Sequence, residues 1–287
     1  MFLFHTLKEY LFPEPTEQRK PLRRLVRHGH RLTWFTYIFA CLRPTKYENW
    51  RLRPLCKLFS EILKPLPCWT SFPHPEYSTL TALFARFILY EKGKEVRNIP
   101  KLVLIENGVH TIEIYQEHDS DCNYLNIKFP ISIVGESREH CIVIGGLRIK
   151  RIKRKKEDDV NVSNLTLRKS ILNGVYVYGA SIHLDNVSVE NSGYDGVYVA
   201  NSKRNTMKNC NVSHSYKNGL CVWGGGLMTI SGKDTTIHHN NDYGLDAYDS
   251  SSSIHLVSPL TKEMISTNNY RGRNYKKRGR IQTVAKS

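Results

Sequence analysis

The stretch NGVYVYG (173–179) places a glycine before alternating apolar and polar or aromatic positions. The phrase returns as YDGVYVA (194–200), NGLCVWG (218–224) and YGLDAYD (243–249). The shared glycines are Gly174, Gly196, Gly219 and Gly244, giving steps of 22, 23 and 25 residues. A second register, SNLTL (163–167), DNVSV (185–189) and KNCNV (208–212), recurs at 22 and 23. Alternation with period two predicts short strands, because successive side chains point to opposite faces. The β-branched and aromatic residues involved fit a pleated surface. Self-similarity at twenty-odd residues predicts a solenoid whose repeats stack on one another. Leucine-rich repeats have a similar period, but the Leu-rich consensus and the helical return are not found here. Two or three short strands per turn, with Asn, Gly, Ser and Asp at the corners, predict a mainly β chain forming a parallel β-helix.

Stacking the repeats assigns faces. Val175, Val197, Leu220 and Leu245 form one column and Val177, Val199, Val222 and Ala247 a second, both expected to point inward. The alternating columns, Tyr176/Tyr198/Cys221/Asp246 and Tyr178/Ala200/Trp223/Tyr248, are expected to point outward and to carry few charges. Asn164, Asn186 and Asn209 recur at one corner, as an asparagine ladder would.

Upstream, KLVLIENGVHTIEI (101–114) and LNIKFPISIVGESREHCIVIGG (125–146) continue the strand-rich texture. The phrases GVHTIE and ISIVGES resemble the opening coils of right-handed β-helices of the pectin-lyase-like kind, and the likeness covers roughly residues 100–258. The resemblance implies right-handedness, which spacing alone does not give. It also brings in a carbohydrate-active alternative, since many proteins of this fold cleave or isomerise acidic polysaccharides.

Residues 1–95 read differently, with helical spacings in LTWFTYIFACL (32–42), NWRLRPLCKLFSEIL (49–63) and STLTALFARFILYEKG (78–93). Ser78 is placed as the N-cap of the third. The four prolines of KPLPCWTSFPHPEY (64–77) argue against regular structure there. The phrase IFACLRPTKYENWRLRPLCKLF (38–59) resembles an F-box, through Ile38, Phe39, Leu42, Pro44, Leu52, Arg53, Cys56, Lys57 and Phe59. That resemblance implies docking of Ile38, Phe39, Leu42, Leu52 and Cys56 on the adaptor subunit of a ubiquitin ligase. The usual leading Leu-Pro and Glu-Ile are absent before Ile38. A helical cap for the solenoid is the alternative, since a stack of repeats needs one.

The net charge of +16 is unevenly placed. Residues 1–99 carry +9, RIKRIKRKK (148–156) +7 and 271–287 +7, whereas 100–147 and 157–270 carry −4 and −3. The solenoid body therefore reads as mildly acidic, with a protruding basic loop at 148–156 and a basic, disordered tail at 262–287. Arg151, Lys153, Arg154, Lys155, Lys156, Lys276, Lys277 and Arg278 are candidates for nuclear import or weak nucleic-acid contact. Seven scattered cysteines without a C-x-x-C pair argue for a reducing, intracellular setting, cytoplasmic or nuclear. The longest apolar run has eleven residues, too short to span a bilayer.

No motif calls for a cofactor or metal. HGH (28–30), RIK (148–150) and DD (158–159) come in the wrong order for the hydrolases of this fold. Asp195, Asp242, Asp246 and His238 are the candidates for acid–base chemistry, with Asp249 nearby; corner residues that satisfy backbone groups are the alternative. Tyr176, Tyr178, Tyr198, Trp223 and Tyr248 are the candidate contacts for a partner, since Tyr and Trp bury much area at low entropic cost. The leading expectation is a non-enzymatic interaction protein, which the F-box resemblance would make a ubiquitin-ligase adaptor; the alternatives are a carbohydrate-active enzyme and nucleic-acid association through the basic segments.

Overall fold

The computed structural model describes residues 69–92, 100–117, 120–150 and 159–285. The F-box-like stretch, with Ile38, Phe39, Leu42, Leu52 and Cys56, lies outside them, as do Arg151, Lys153, Arg154, Lys155 and Lys156.

The described residues form a parallel β-solenoid with three strand columns. One column runs from Trp69–Phe72 through Leu102–Ile105, Ser132–Gly135, Val160–Arg168, Ile182–Glu190, Asn205–Lys208, Leu227–Ser231 and Ser253–Val257 to Arg280–Val284. The second halves of the two nine-residue strands turn a corner and pair with Cys141–Ile144 and Asn211–Ser213, opening a second column. A separate seven-stranded sheet is the third: Tyr124–Ile127, Gly146–Lys150, Val175–Tyr178, Val197–Ala200, Leu220–Trp223, Leu245–Ala247 and Tyr275–Lys277. All these pairings are parallel, and the register matches the repeat: Val175 faces Val197, Leu220 and Leu245 in turn. Both inward columns, including Val177, Val199, Val222 and Ala247, are fully buried. Each such Val or Leu contributes about 1.5–3 kcal/mol through removal from water.

The corners explain the rest of the repeat. Asn164, Asn186 and Asn209 all have positive φ, near 55°, a conformation Asn tolerates better than most residues. The Nδ2 of Asn186 donates to Oδ1 of Asn164 at 3.0 Å. The repeated glycine has a different cause. A Cβ on Gly196 would strike the Val212 side chain and, at 2.6 Å, the Gly219 carbonyl oxygen. The chain bends into the core there with no room for a side chain.

Two expectations fail at the ends. Trp69–Phe72 is a strand paired with Leu102–Ile105, despite its proline-rich surroundings, because the prolines flank the four residues and leave their N–H groups intact. The stretch from 262 is not a disordered tail: Tyr275–Lys277 pairs with Leu245–Ala247, and Arg280–Val284 pairs with Ser253–Val257. Lys276, Lys277 and Arg278 are thus part of a final coil.

The helix Leu80–Lys92 buries Leu80, Leu83, Phe84 and Phe87, spaced as one helical face. Phe84 and Phe87 pack on Phe129 of the opening coils, with ring centroids 6.3 and 5.8 Å apart. Its N-cap is Thr79, whose Oγ1 accepts the Ala82 N–H at 3.1 Å, rather than Ser78.

Candidate functional site

The outer side of the seven-stranded sheet collects the predicted site residues. The register makes one outer column of Asn126, Arg148, Tyr176, Tyr198, Cys221, Asp246 and Lys276. Tyr176 and Tyr198 stack on successive coils, centroids 5.2 Å apart and rings 8° from parallel. Burial is the main reason their hydroxyls resist ionisation. Both rings, and Tyr178, are half-buried, whereas Trp223 and Tyr248 are 39% and 43% exposed.

This face is not the charge-poor surface that the repeats suggest. Lys150 Nζ lies 5.6 Å from the Tyr176 ring centroid, and the Arg278 guanidinium lies 5.2 Å from that of Tyr248. At the N-terminal end the hairpin of Tyr115–Glu117 and Ser120–Cys122 is tied down on the sheet. Arg148 Nη2 donates to Glu117 Oε1 at 2.9 Å and Nε to Asn126 Oδ1 at 2.7 Å, while Asn126 Nδ2 donates to the Tyr115 hydroxyl at 2.9 Å.

Asp246 stands between Cys221 and Lys276 in the outer column, yet is only 2% exposed. Its Oδ1 has no hydrogen-bond partner. Burial pushes its carboxyl above the usual range; Lys276 and Arg278 pull it back, and the charge of Asp242 raises it again. Burial also raises the Cys221 thiol, with Asp195 and Asp246 adding to the effect. Asp246 is therefore a carboxyl whose burial favours its protonated form, opposed by the charges of Lys276 and Arg278. Asp242 is ion-paired with Arg273 at 2.9 Å.

Asp195 serves the corner. Its Oδ1 accepts the Asn218 backbone N–H at 3.0 Å and Nδ2 at 2.9 Å. Asn173 Oδ1 accepts the Asp195 N–H, and Asn218 Oδ1 accepts the Tyr243 N–H. Asp195 is thus one rung of a ladder otherwise built from asparagines. Burial drives its carboxyl up to about 6, against the pull of the Asn218 hydrogen bonds. Asp249 caps a turn: burial would raise its carboxyl, but hydrogen bonds from Ser251, the Gly224 N–H and Ser252 outweigh it and hold it near 2.

His238 belongs elsewhere. It lies on Thr236–His238, in the second strand column, where its Nδ1 is 2.7 Å from Nδ1 of His239 and its ring packs edge-on to His214. The fold thus lets the charge of Asp246 act on Asp195 and that of Asp242 on Asp246, while His238 feels instead His239, His214 and Glu190. Sequence reasoning missed Lys276 and Arg278 as neighbours of the site, because the coil carrying them follows Leu245 by thirty residues and has Asn274 where the repeat has glycine.

Among the described residues no three His, Cys, Asp or Glu side chains are set to hold a metal ion. Their cysteines, Cys122, Cys141, Cys210 and Cys221, are free and buried. No helix among these residues is long and apolar enough to cross a membrane.

Comparison with known proteins bears on the fold. Residues 152–272 match the family model described as the right handed beta helix region, which fixes the handedness of the solenoid as right-handed. No curated protein matches the chain. Among solved structures it is similar to the Agl-KA catalytic domain, at 15% identity and a TM-score of 0.40 over 72% of this chain. The likeness covers 44% of that structure's chain.

Proposed function

We propose that this protein is carbohydrate-active, with a glycan lying along the outer side of the seven-stranded sheet. The observation that carries the reading is Asp246, a buried carboxyl with an unpartnered oxygen on the face that also bears Tyr176, Tyr198, Trp223 and Tyr248. Aromatic rings supply flat apolar platforms for sugar rings, and a carboxyl that burial pushes towards its protonated form suits a general acid. In hydrolysis the bond from the anomeric carbon to the leaving oxygen breaks, and the Asp246 proton passes to that oxygen. Water adds its oxygen to the anomeric carbon, and its proton goes to a carboxylate such as Asp242. Asp246 is 2% exposed, so the reading requires its neighbours in the outer column to move when a sugar binds.

The test is a soluble oligosaccharide panel scored for binding and for new reducing ends. Trp223→Ala is expected to weaken binding about tenfold, and Asp246→Asn to bind but not cleave. Binding with no cleavage by the natural protein removes the catalytic role, and no binding at millimolar sugar removes the reading.

A second reading takes the exposure of Trp223 and Tyr248 as a protein-binding patch, with the F-box-like residues linking it to a ubiquitin ligase. It predicts capture of cullin and its adaptor by the full chain and loss of both with Leu52→Asp/Cys56→Asp. Absence of both from the natural protein's pull-down removes it.

A further inference from the structure

The final coil changes the charge map of the solenoid. Residues 271–280 carry Arg271, Arg273, Lys276, Lys277, Arg278 and Arg280 without an acidic residue, and they are folded against the preceding coils. Several of their cations meet tyrosines at the corner leading into the seven-stranded sheet. Lys217 Nζ lies 3.8 Å from the Tyr194 ring centroid, one coil away. Tyr243 takes Arg273 at 5.6 Å and Lys276 at 4.9 Å, and Tyr270 takes Arg271 at 4.9 Å. Backbone hydrogen bonds fix the order: Lys217 N–H donates to Tyr194 C=O and Asp242 N–H to Lys217 C=O. Tyr194, Lys217 and Asp242 therefore succeed one another up the corner, at the coil spacing of about 4.8 Å, with Asp242 neutralised by Arg273 of the final coil.

The ridge is open. Tyr194, Tyr216 and Tyr270 are 40%, 66% and 44% exposed. Its acidic residues are engaged: Asp242 pairs with Arg273, and Asp195 is buried in the corner ladder. We infer that this corner ridge binds single-stranded nucleic acid, its tyrosines offering ring faces to unstacked bases and its Lys and Arg side chains taking the phosphates. Single strands are held by this combination of a cationic track and aromatic platforms. An acidic glycan would use the same cations, so heparin is the comparison ligand of the test. Stacking on tyrosine rings needs unpaired bases, which a duplex does not present. The cations already fix the rings, so little side-chain freedom is lost on binding. The ridge adjoins the Asp246 face through Lys276 and Asp242, but the variants tested, at Lys217, Arg271, Tyr194 and Tyr216, lie outside the residues of the glycan reading, so the two readings fail separately.

The experiment is fluorescence anisotropy of a labelled oligothymidylate with the full chain between 50 and 200 mM salt, the range over which phosphate contacts show themselves. Single strands give a slope of about −0.7 per phosphate contact in log K against log salt. Lys217→Gln/Arg271→Gln should therefore flatten the slope by about 1.4. Tyr194→Ala/Tyr216→Ala should weaken binding at least ~10-fold with little change in slope, since stacking is not ionic. Circular dichroism verifies that each variant is folded. No binding overturns the proposal, as does loss of binding only when the basic run 151–156 is neutralised. Equal affinity for heparin, with the tyrosine variants unaffected, also overturns it, because charge alone would then explain the association.

Discussion

Asp195 Oδ1 accepts both the backbone N–H and the side-chain Nδ2 of Asn218, the work that Asn173 and Asn218 do with an amide oxygen on their own rungs. A carboxylate in this place is paid for in pH dependence. Its carboxyl sits near 6, raised from 3.8 mainly by burial, so the folded state holds a proton that the unfolded state releases. Stability is therefore greatest below pH 3.8 as far as this group is concerned and falls as pH rises to about 6, by up to ~3 kcal/mol. Asp195→Asn should remove that loss, raising the midpoint of urea unfolding at pH 7.5 and leaving it little changed at pH 4. A less stable variant at pH 7.5 would mean that the carboxylate, not merely an oxygen acceptor, is required there.

Gly196 sets a steric limit on the repeat. A Cβ there meets Val212 Cγ1 and the Gly219 carbonyl oxygen, so Gly196→Ala should destabilise by about 1–3 kcal/mol through overpacking. Val212→Ala in the same chain removes the nearest of three obstacles, Ser215 Oγ at 2.8 Å being the third. The double variant should accordingly lose less than the sum of the single losses, and a strictly additive denaturation cycle would refute the steric account.

Arg148 holds the hairpin of Tyr115–Glu117 and Ser120–Cys122 through its fork to Glu117. Both side chains are mostly shielded from water, so the charge-assisted bonds contribute about 1.5–3 kcal/mol locally. Arg148→Met should speed hydrogen exchange of the amides in 115–122 by ~10-fold or more, with the strand Val197–Ala200 unaffected. Uniform acceleration across the solenoid would show instead that Arg148 supports the coils themselves.

The strands of the central coils are legible because apolar alternation and glycine recur there without interruption, from Val175 to Ala247. Legibility stops where the physical constraint is met by other residues. Asn274 takes the glycine position and Tyr275 the apolar one in the last coil, so its cations read as a tail. The unfavourable prolines around Trp69–Phe72 concealed the first strand. Within the site, period two placed Asp246 in the same outer column as Tyr176 and Tyr198, but not its burial. That depends on its neighbours, among them Lys276 of the coil that the repeat did not announce. His238 looked close to Asp242 along the chain, yet Asp242 lies in the corner that separates the strand ending at His238 from the strand that carries Asp246.

His238 and His239 bring two Nδ1 atoms to 2.7 Å, where one hydrogen fits between them. His214 stacks on His239 at 5.4 Å and meets His238 edge-on. Burial, then the charges of His239 and His214, lowers the His238 pKa, and Glu190 opposes them. The other groups around the cluster are Ser213 and Thr267 on the adjoining strands and, on the helix packed nearby, Lys262 and Glu263, which pair with each other. A histidine whose folded pKa lies below 6.5 takes up its proton more readily when unfolded. Its contribution to stability is intact above pH 6.5 and is lost as pH falls from there towards the folded pKa. His238→Gln keeps a polar side chain but cannot acquire the charge. Thermal unfolding between pH 7.5 and 5 should therefore show a smaller acid-induced fall in Tm for the variant than for the natural protein. Equal falls would place the acid sensitivity outside the imidazole cluster.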